Sequence, residues 1–311
     1  MAKAKTGTWW ETAPHRALAN NTAIYNGKPD LGCFLREWSD LYDSKAGERG
    51  IFNRSGAKQQ QNANGRDANV EFGFNPCAEI LLRNKGFCNL TEVILKPQDK
   101  VSDIRRKVEL ATILGTCQSA LTNFPYLDDG WKENCEEERL LGVSMTGIYD
   151  NPLTWGKDGL GKLAHRLDRL RAHSHKINME WAEKLDINPS KAITCIKPSG
   201  TVSCLCDTAS GIHPRYAEYF IRRVRVDKKD PIYSLMKKQG VAVEDCILNP
   251  DATGIFSFPM QAPKGSLTSK DLNALDHLEL WRVYKRHWTD HNPSITAVSY
   301  THLRAHETDS Y

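Results

Sequence analysis

A chain of 311 residues with 40% hydrophobic composition can bury a sizeable core, which excludes a disordered polypeptide and allows one large α/β unit or two ordinary domains. The formal charge of +4 is small for that length, and no long block of Lys or Arg stands without acidic neighbours, so neither nucleic acid nor an anionic membrane is indicated as a partner. No run approaches the roughly 18 apolar residues of a membrane span. The first six residues lack the apolar core of a signal peptide, and nine cysteines without scaffold density suit a reducing, cytoplasmic setting.

In chain order, residues 9–21 interleave polar and small side chains, which predicts a strand end or loop lining a polar cavity, a surface turn being the alternative. From 30 to 42, Leu31, Phe34, Leu35, Trp38 and Leu41 recur at three and four, the face of an amphipathic helix. A turn at 47–50 leads into a short strand, and the Gln-, Asn- and Gly-rich stretch 55–69 reads as a mobile, solvated loop.

Residues 72–80 follow, Phe-Gly-Phe-Asn-Pro-Cys-Ala-Glu-Ile, with a second cysteine at Cys88. Asn75, Cys77 and Glu79 stand at alternate positions, so in an extended segment their side chains leave from one face. Pro76 cannot donate to a sheet ladder, which places the triplet on a loop or strand tip rather than in a central strand.

Periodicity predicts helices over 104–121, 163–185 and 272–287, and strands over 139–148 and 253–259. His165, His173 and His175 lie among charges, and 173 and 175 diverge on a helix, so a solvated face is favoured over a metal site. The β-branched run 192–196 ends in Lys197-Pro198-Ser199-Gly200-Thr201-Val202-Ser203. Exposed N–H groups, hydroxyls and a glycine meet the needs of a phosphate cradle there, although an ordinary turn has the same composition. Gly211-Ile212-His213 and the basic Arg222, Arg223 and Arg225 follow; arginines on a strand face are more often ion-pair formers than ligand contacts. Cys195, Cys204, Cys206 and His213 lack zinc spacing, and core cysteines are the simpler reading. Strands alternating with helices of ten to fifteen residues argue a parallel α/β architecture.

Taken together, Asn75-Pro76-Cys77-x-Glu79, Cys88-Asn89-Leu90, the run 139–147, Lys197-Pro198-Ser199-Gly200-Thr201-Val202 and Gly211-Ile212-His213 resemble ribonucleotide reductase, over about residues 9–296. Among its classes the resemblance is greatest to the adenosylcobalamin-dependent one, and Pro-Ser-Gly-Thr with Gly-Ile-His favours the monomeric triphosphate-reducing branch. The resemblance implies part of a ten-stranded α/β barrel with a central finger loop carrying Cys77. A deoxyadenosyl radical would oxidise Cys77 to a thiyl that removes the ribose 3′ hydrogen, Glu79 would act as base on the 3′ hydroxyl, and Asn75 would hold the ribose. Cys88 matches one half of the reducing dithiol, whose other half is expected upstream. Ser199, Gly200, Thr201 and Ser203 would hold substrate phosphates.

The implied partners are a thioredoxin-type dithiol reductant and a dNTP effector bound mostly outside this chain. The chain then reads as an interior piece of a longer enzyme, with 1–296 a partial catalytic barrel and 297–311 a non-native or disordered tail resembling adapter read-through. Two alternatives stand beside it: a piece of the class I catalytic subunit, which uses a separate radical-generating subunit, and a nucleotide-binding module without chemistry.

Overall fold

The computed structural model describes residues 4–5, 7–18, 22–44 and 50–296. The expectations for 19–21, for the turn at 47–49 and for the tail 297–311 lie outside the described residues. In chain order the elements are α1 (Trp9–Thr12), a 3-10 turn (Pro14–Leu18), β1 (Thr22–Tyr25), α2 (Leu31–Ser44), β2 (Gly50–Asn53), α3 (Arg54–Ala63), β3 (Phe72–Phe74), β4 (Leu81–Arg83), β5 (Asn89–Ile94), α4 (Val101–Ser119), α5 (Asp129–Glu138), β6 (Leu141–Thr146), α6 (Leu160–Lys184), α7 (Thr201–Leu205), β7 (Tyr219–Asp227), α8 (Pro231–Lys238), β8 (Val243–Asp245), β9 (Thr253–Gln261) and α9 (Ala274–His287).

Helix starts follow local chemistry. The side chains of Asn53, Asp128, Asp230 and Asn273 each accept a backbone N–H in the first turn of α3, α5, α8 and α9, and Pro231 sits where its missing N–H costs nothing. The β-branched and apolar run of β6 is buried along its whole length because both of its faces are covered. On one side, Leu141, Val143 and Met145 join Ile104 and Val108 of α4, Leu163, Leu167 and Leu170 of α6, and Leu280 and Tyr284 of α9 in a single core.

Strand pairing around this core is parallel. β5 pairs with β6 from Asn89↔Leu141 to Ile94↔Thr146, Val143 bridges to Thr194, and Ile196 bridges to Pro293. β1 and β2 form a second parallel pair. The parallel α/β expectation holds for this part of the chain. It does not extend to β7, β9 and β8, which form an antiparallel sheet in that order. A sequence run of β-branched residues records a strand but not its direction, so that sheet was not separable from the rest by pattern. Arg223 of β7 is engaged by Glu244, the ion-pair role expected of strand-face arginines, and Lys228 just past the strand is engaged by Asp245.

Two further expectations are corrected. Residues 9–18 form exposed helical turns rather than a cavity lining. Most of 55–69 is helix α3, not a loop: the Asn53 cap starts it, and Gln60 and Asn64 donate to the carbonyls of Asp290 and His291 at 2.7–2.9 Å. Just beyond it, Arg66 is 3% exposed. Its guanidinium pairs with Glu138 at 2.7 and 3.0 Å, donates to Leu81 O at 2.9 Å, and lies over the Phe72 ring. Composition alone cannot reveal a helix whose polar residues are consumed by tertiary hydrogen bonds. No helix among the described residues is long and apolar enough to cross a membrane.

Candidate active site

β3 and β4 form an antiparallel hairpin, and residues 75–80 are the loop at its tip. Asn75 closes this loop twice: its N–H donates to Ile80 O at 3.2 Å, and its side-chain oxygen accepts from Ile80 N at 3.0 Å. Ala78 has a φ of +60°, the left-handed region that lets the chain reverse within so few residues. This corrects the extended, one-face arrangement expected of Asn75, Cys77 and Glu79. A left-handed residue between Cys77 and Glu79 rotates them apart, so Cys77 is exposed at the tip while Glu79 is 2% exposed beneath it. The tip location expected from Pro76 is found.

The loop is pinned from below. Asn292 donates its backbone N–H to Glu79 O at 3.0 Å and its side-chain amide to Ala78 O at 3.1 Å. The segment carrying Asn292 is held by Asp290, which accepts from Arg171, from His175 at 2.9 Å and from the N–H of Ile193 at 2.9 Å. Burial works against the Asp290 charge, but His175, Arg171 and that N–H outweigh it and hold the carboxyl well below the usual range. The solvated face expected of these histidines holds for His165, which is exposed, while His175, its side chain 39% exposed, also reaches Asp290, and His173 meets Glu109 at 3.5 Å. A helix pattern cannot show a partner more than a hundred residues away. His291 is fully buried and donates Nε2–H to Leu141 O; burial, then the charge of Arg66, lowers its pKa to about 4.

On the exposed side of the hairpin the polar groups are left open. The Glu79 carboxylate has one oxygen, Oε2, that is buried and without a hydrogen-bond partner. Partial burial raises the Cys77 thiol, the negative charge of Glu79 raises it further, and Lys197 opposes both. Cys88, at the start of β5, is raised strongly by burial and then by Glu79. Both sulfurs are thus thiols at neutral pH, suited to giving up a hydrogen atom or a proton rather than to thiolate nucleophilic attack.

A third thiol, treated as core in the sequence reading, stands with them. A Cβ placed on Gly142 would meet Leu90 Cδ2 at 2.4 Å, Cys88 Sγ at 3.2 Å and Cys195 Sγ at 3.3 Å. Only glycine lets these groups converge, so its position marks the site. The signal in the sequence is a glycine inside a strand run, which marks a close approach but not what approaches it.

The run 193–197 continues the parallel sheet and delivers Lys197 and then the loop Pro198-Ser199-Gly200 ahead of α7. Ser199 and Ser203 are buried: Ser199 Oγ accepts from Ser203 N at 3.1 Å, and Ser203 Oγ donates to the carbonyls of Ser199 at 2.6 Å and Gly200 at 2.9 Å. Gly200 and Thr201 are exposed, and among the described residues no acceptor engages their N–H groups. Gly211, with φ +52°, approaches this turn so closely that a Cβ would lie 2.5 Å from Lys197 O. His213 donates Nδ1–H to Ser210 O and accepts the N–H of Thr296 at 2.9 Å, which fixes it as a neutral structural clamp.

Comparison with known proteins places this geometry in context. No family model matches the chain. It is 29% identical over 299 residues to the adenosylcobalamin-dependent ribonucleoside-triphosphate reductase of Euglena gracilis, covering 92% of this chain and 39% of that protein. The enzyme of the same description from Lactobacillus delbrueckii subsp. bulgaricus is 28% identical over 280 residues, covering 80% of this chain and 36% of that protein. The chain thus spans less than half the length of the curated relatives it matches. A crystal structure of a B12-dependent (class II) ribonucleotide reductase superposes with a TM-score of 0.64 at 21% identity, over 88% of this chain and 46% of that one. In sequence the chain is similar to adenosylcobalamin-dependent ribonucleoside-triphosphate reductases, and its fold matches part of the α/β barrel of a class II ribonucleotide reductase.

Proposed function

We propose that the chain supplies the reacting centre of a radical ribonucleotide reductase acting on ribonucleoside triphosphates in the cytoplasm. The observation that carries this reading is the trio at the hairpin tip: an exposed, protonated Cys77, a buried Glu79 carboxylate with an open oxygen, and the protonated Cys88 behind them. Cys77 fits a hydrogen-atom donor because its sulfur keeps its proton and is accessible from outside the loop. Adenosylcobalamin, the cofactor in the relatives' description, supplies the initiating radical when bound.

Cys77, as a thiyl, takes the 3′ hydrogen of the ribose, and Glu79 accepts the 3′ hydroxyl proton at its open oxygen. The 2′ hydroxyl leaves as water with a proton from Cys88. Cys88 and a second thiol supply two electrons and become a disulfide, the second thiol's hydrogen going to C2′; Glu79 gives back the 3′ hydroxyl proton, and Cys77 returns its hydrogen to C3′ and is again a thiyl. An external dithiol of the thioredoxin kind then restores the pair. The Asn75 side-chain N–H groups, left free once its oxygen has closed the loop, orient the sugar. Ser199, Gly200, Thr201 and Ser203 form the phosphate loop, the N–H groups of Gly200 and Thr201 facing the ligand and the two serine hydroxyls shaping the turn.

The test is deoxynucleotide formation by the full-length protein with adenosylcobalamin and a dithiol. Cys77→Ser is expected to abolish it, and activity that survives this substitution overturns the reading.

A further inference from the structure

On β5 the alternation that sends Thr91 and Val93 toward α4 sends Glu92 to the opposite face, where it registers with Ser144 of β6. Glu92 is half-buried there, and its Oε1 is shielded and has no hydrogen-bond partner. The neighbouring segment brings Lys197 to the same place, its backbone N–H donating to Ser144 Oγ at 2.9 Å. Among the described residues no carboxylate forms an ion pair with its half-buried ammonium. The charge of Lys197 nevertheless acts on Glu92, on Cys77 and on Cys195, and Ser199 follows it by two residues, so it stands close to the thiols and to the phosphate loop. Opposite charges that share one face without touching leave a place for a third group.

We propose that Lys197 and Glu92 form a charge switch for a phosphoryl group seated on the Ser199 loop, Lys197 pairing with its oxygens while Glu92 takes up a proton from solvent. This rests on the phosphate loop of the reading above. An ammonium between a carboxylate and an arriving polyanion turns to the polyanion, and the carboxylate left beside it is driven to protonate by like-charge repulsion. Burial already favours the neutral form of Glu92, with the Ser199 side chain and Lys197 opposing. The groups facing Glu92 are Ser144 on β6, Cys195 and Lys197 on the adjoining segment, and Ser199 on the loop. Burial keeps Cys195 a thiol, so Lys197 carries the charge in this set. Once protonated, the Glu92 carboxyl becomes a donor and can bond a phosphoryl oxygen instead of repelling it.

The experiment is calorimetric titration of CTP and of inorganic triphosphate into the full-length protein, in buffers of different ionisation enthalpy, for the unsubstituted protein, Glu92→Gln, Lys197→Met and Lys197→Arg. Thermal melts establish that each variant is folded. Binding to the unsubstituted protein is expected to take up more protons than binding to Glu92→Gln, which binds at least as tightly and with a flatter pH dependence. Lys197→Met is expected to weaken binding by about tenfold to a hundredfold, the value of a charge-assisted hydrogen bond, and Lys197→Arg to recover part of it. Equal proton uptake in the unsubstituted protein and Glu92→Gln, or undiminished binding by Lys197→Met, overturns the switch. Absence of all nucleotide binding overturns both the switch and the phosphate loop. The expected binding pattern without deoxynucleotide formation leaves the switch standing and removes the reductase reading.

Discussion

The hairpin that carries Cys77 has two sides built to opposite rules. Beneath it, charged groups are buried and paired: Arg66 with Glu138, and Asp290 with Arg171 and His175. Above it, Glu79 and Glu92 keep buried oxygens without partners, Lys197 has no ion pair among the described residues, and three thiols stay protonated. Leaving a buried polar atom unsatisfied costs about 1–3 kcal/mol. Unpartnered atoms occur beneath the hairpin too, at Gln61 Nε2 and His291 Nδ1, but those belong to a neutral amide and a neutral ring, whereas above it they belong to carboxylates, which a bound ligand can complete. The difference separates scaffold from site without reference to any relative.

Substitutions on the two sides are expected to separate activity from stability. The largest effect is Cys77→Ser, which removes turnover to background and leaves the unfolding midpoint within about 0.5 kcal/mol, the range for an exposed position; activity assay and denaturant titration on one sample check both. Glu79→Gln is next, lowering turnover by about 10²–10⁴-fold, as loss of a general base does. It holds or raises stability, because the change removes a buried charge with an unpartnered oxygen. Arg66→Met acts on the other side and is expected to destabilise by about 3–5 kcal/mol by stranding Glu138, measured by chemical unfolding. Gly142→Ala falls between the two classes: the added methyl meets Leu90 at 2.4 Å and both neighbouring sulfurs. It is expected to cost about 1–3 kcal/mol by overpacking and to lower turnover with it.

A pH dependence is expected on the paired side as well. His291 has a folded-state pKa of about 4, below its unfolded value of about 6.5. The unfolded chain binds the proton first, so the stability this residue contributes is complete above about pH 6.5 and is lost as pH falls toward 4, an amount on the order of 3 kcal/mol. Asp290, depressed in the folded state, loses its contribution only below about pH 4. Unfolding free energies from pH 8 to 4 are expected to slope for the unsubstituted protein and to flatten in His291→Gln. Because Asn292 next to it pins the finger loop, amide exchange in residues 75–80 is expected to quicken over the same range.

Much of this was legible in the sequence where function needs particular residues close together in the chain. Cys77, Glu79 and Asn75 within one short loop, Cys88 at a strand entry, and the Pro-Ser-Gly-Thr turn after a β-branched run all survive as local features. Helices α2, α4, α6 and α9 were visible because their apolar residues recur at helical spacing. What escaped depended on contacts across the fold. Helix α3 is held by Gln60 and Asn64 bonding to residues 290 and 291, far along the chain. Cys195 reaches Cys88 only because Gly142 lies between them on the sheet. The turn at Ala78 defeated the simple alternation rule, which assumes extended backbone at each step.

The central claim, that Cys77 carries the reaction while Arg66, Asp290 and their ion-pair partners only hold the loop in place, is tested most directly by assaying deoxynucleotide formation and nucleotide binding together in Cys77→Ser and the unsubstituted full-length protein. The account predicts unchanged binding with no turnover in Cys77→Ser. Turnover persisting in that variant contradicts it.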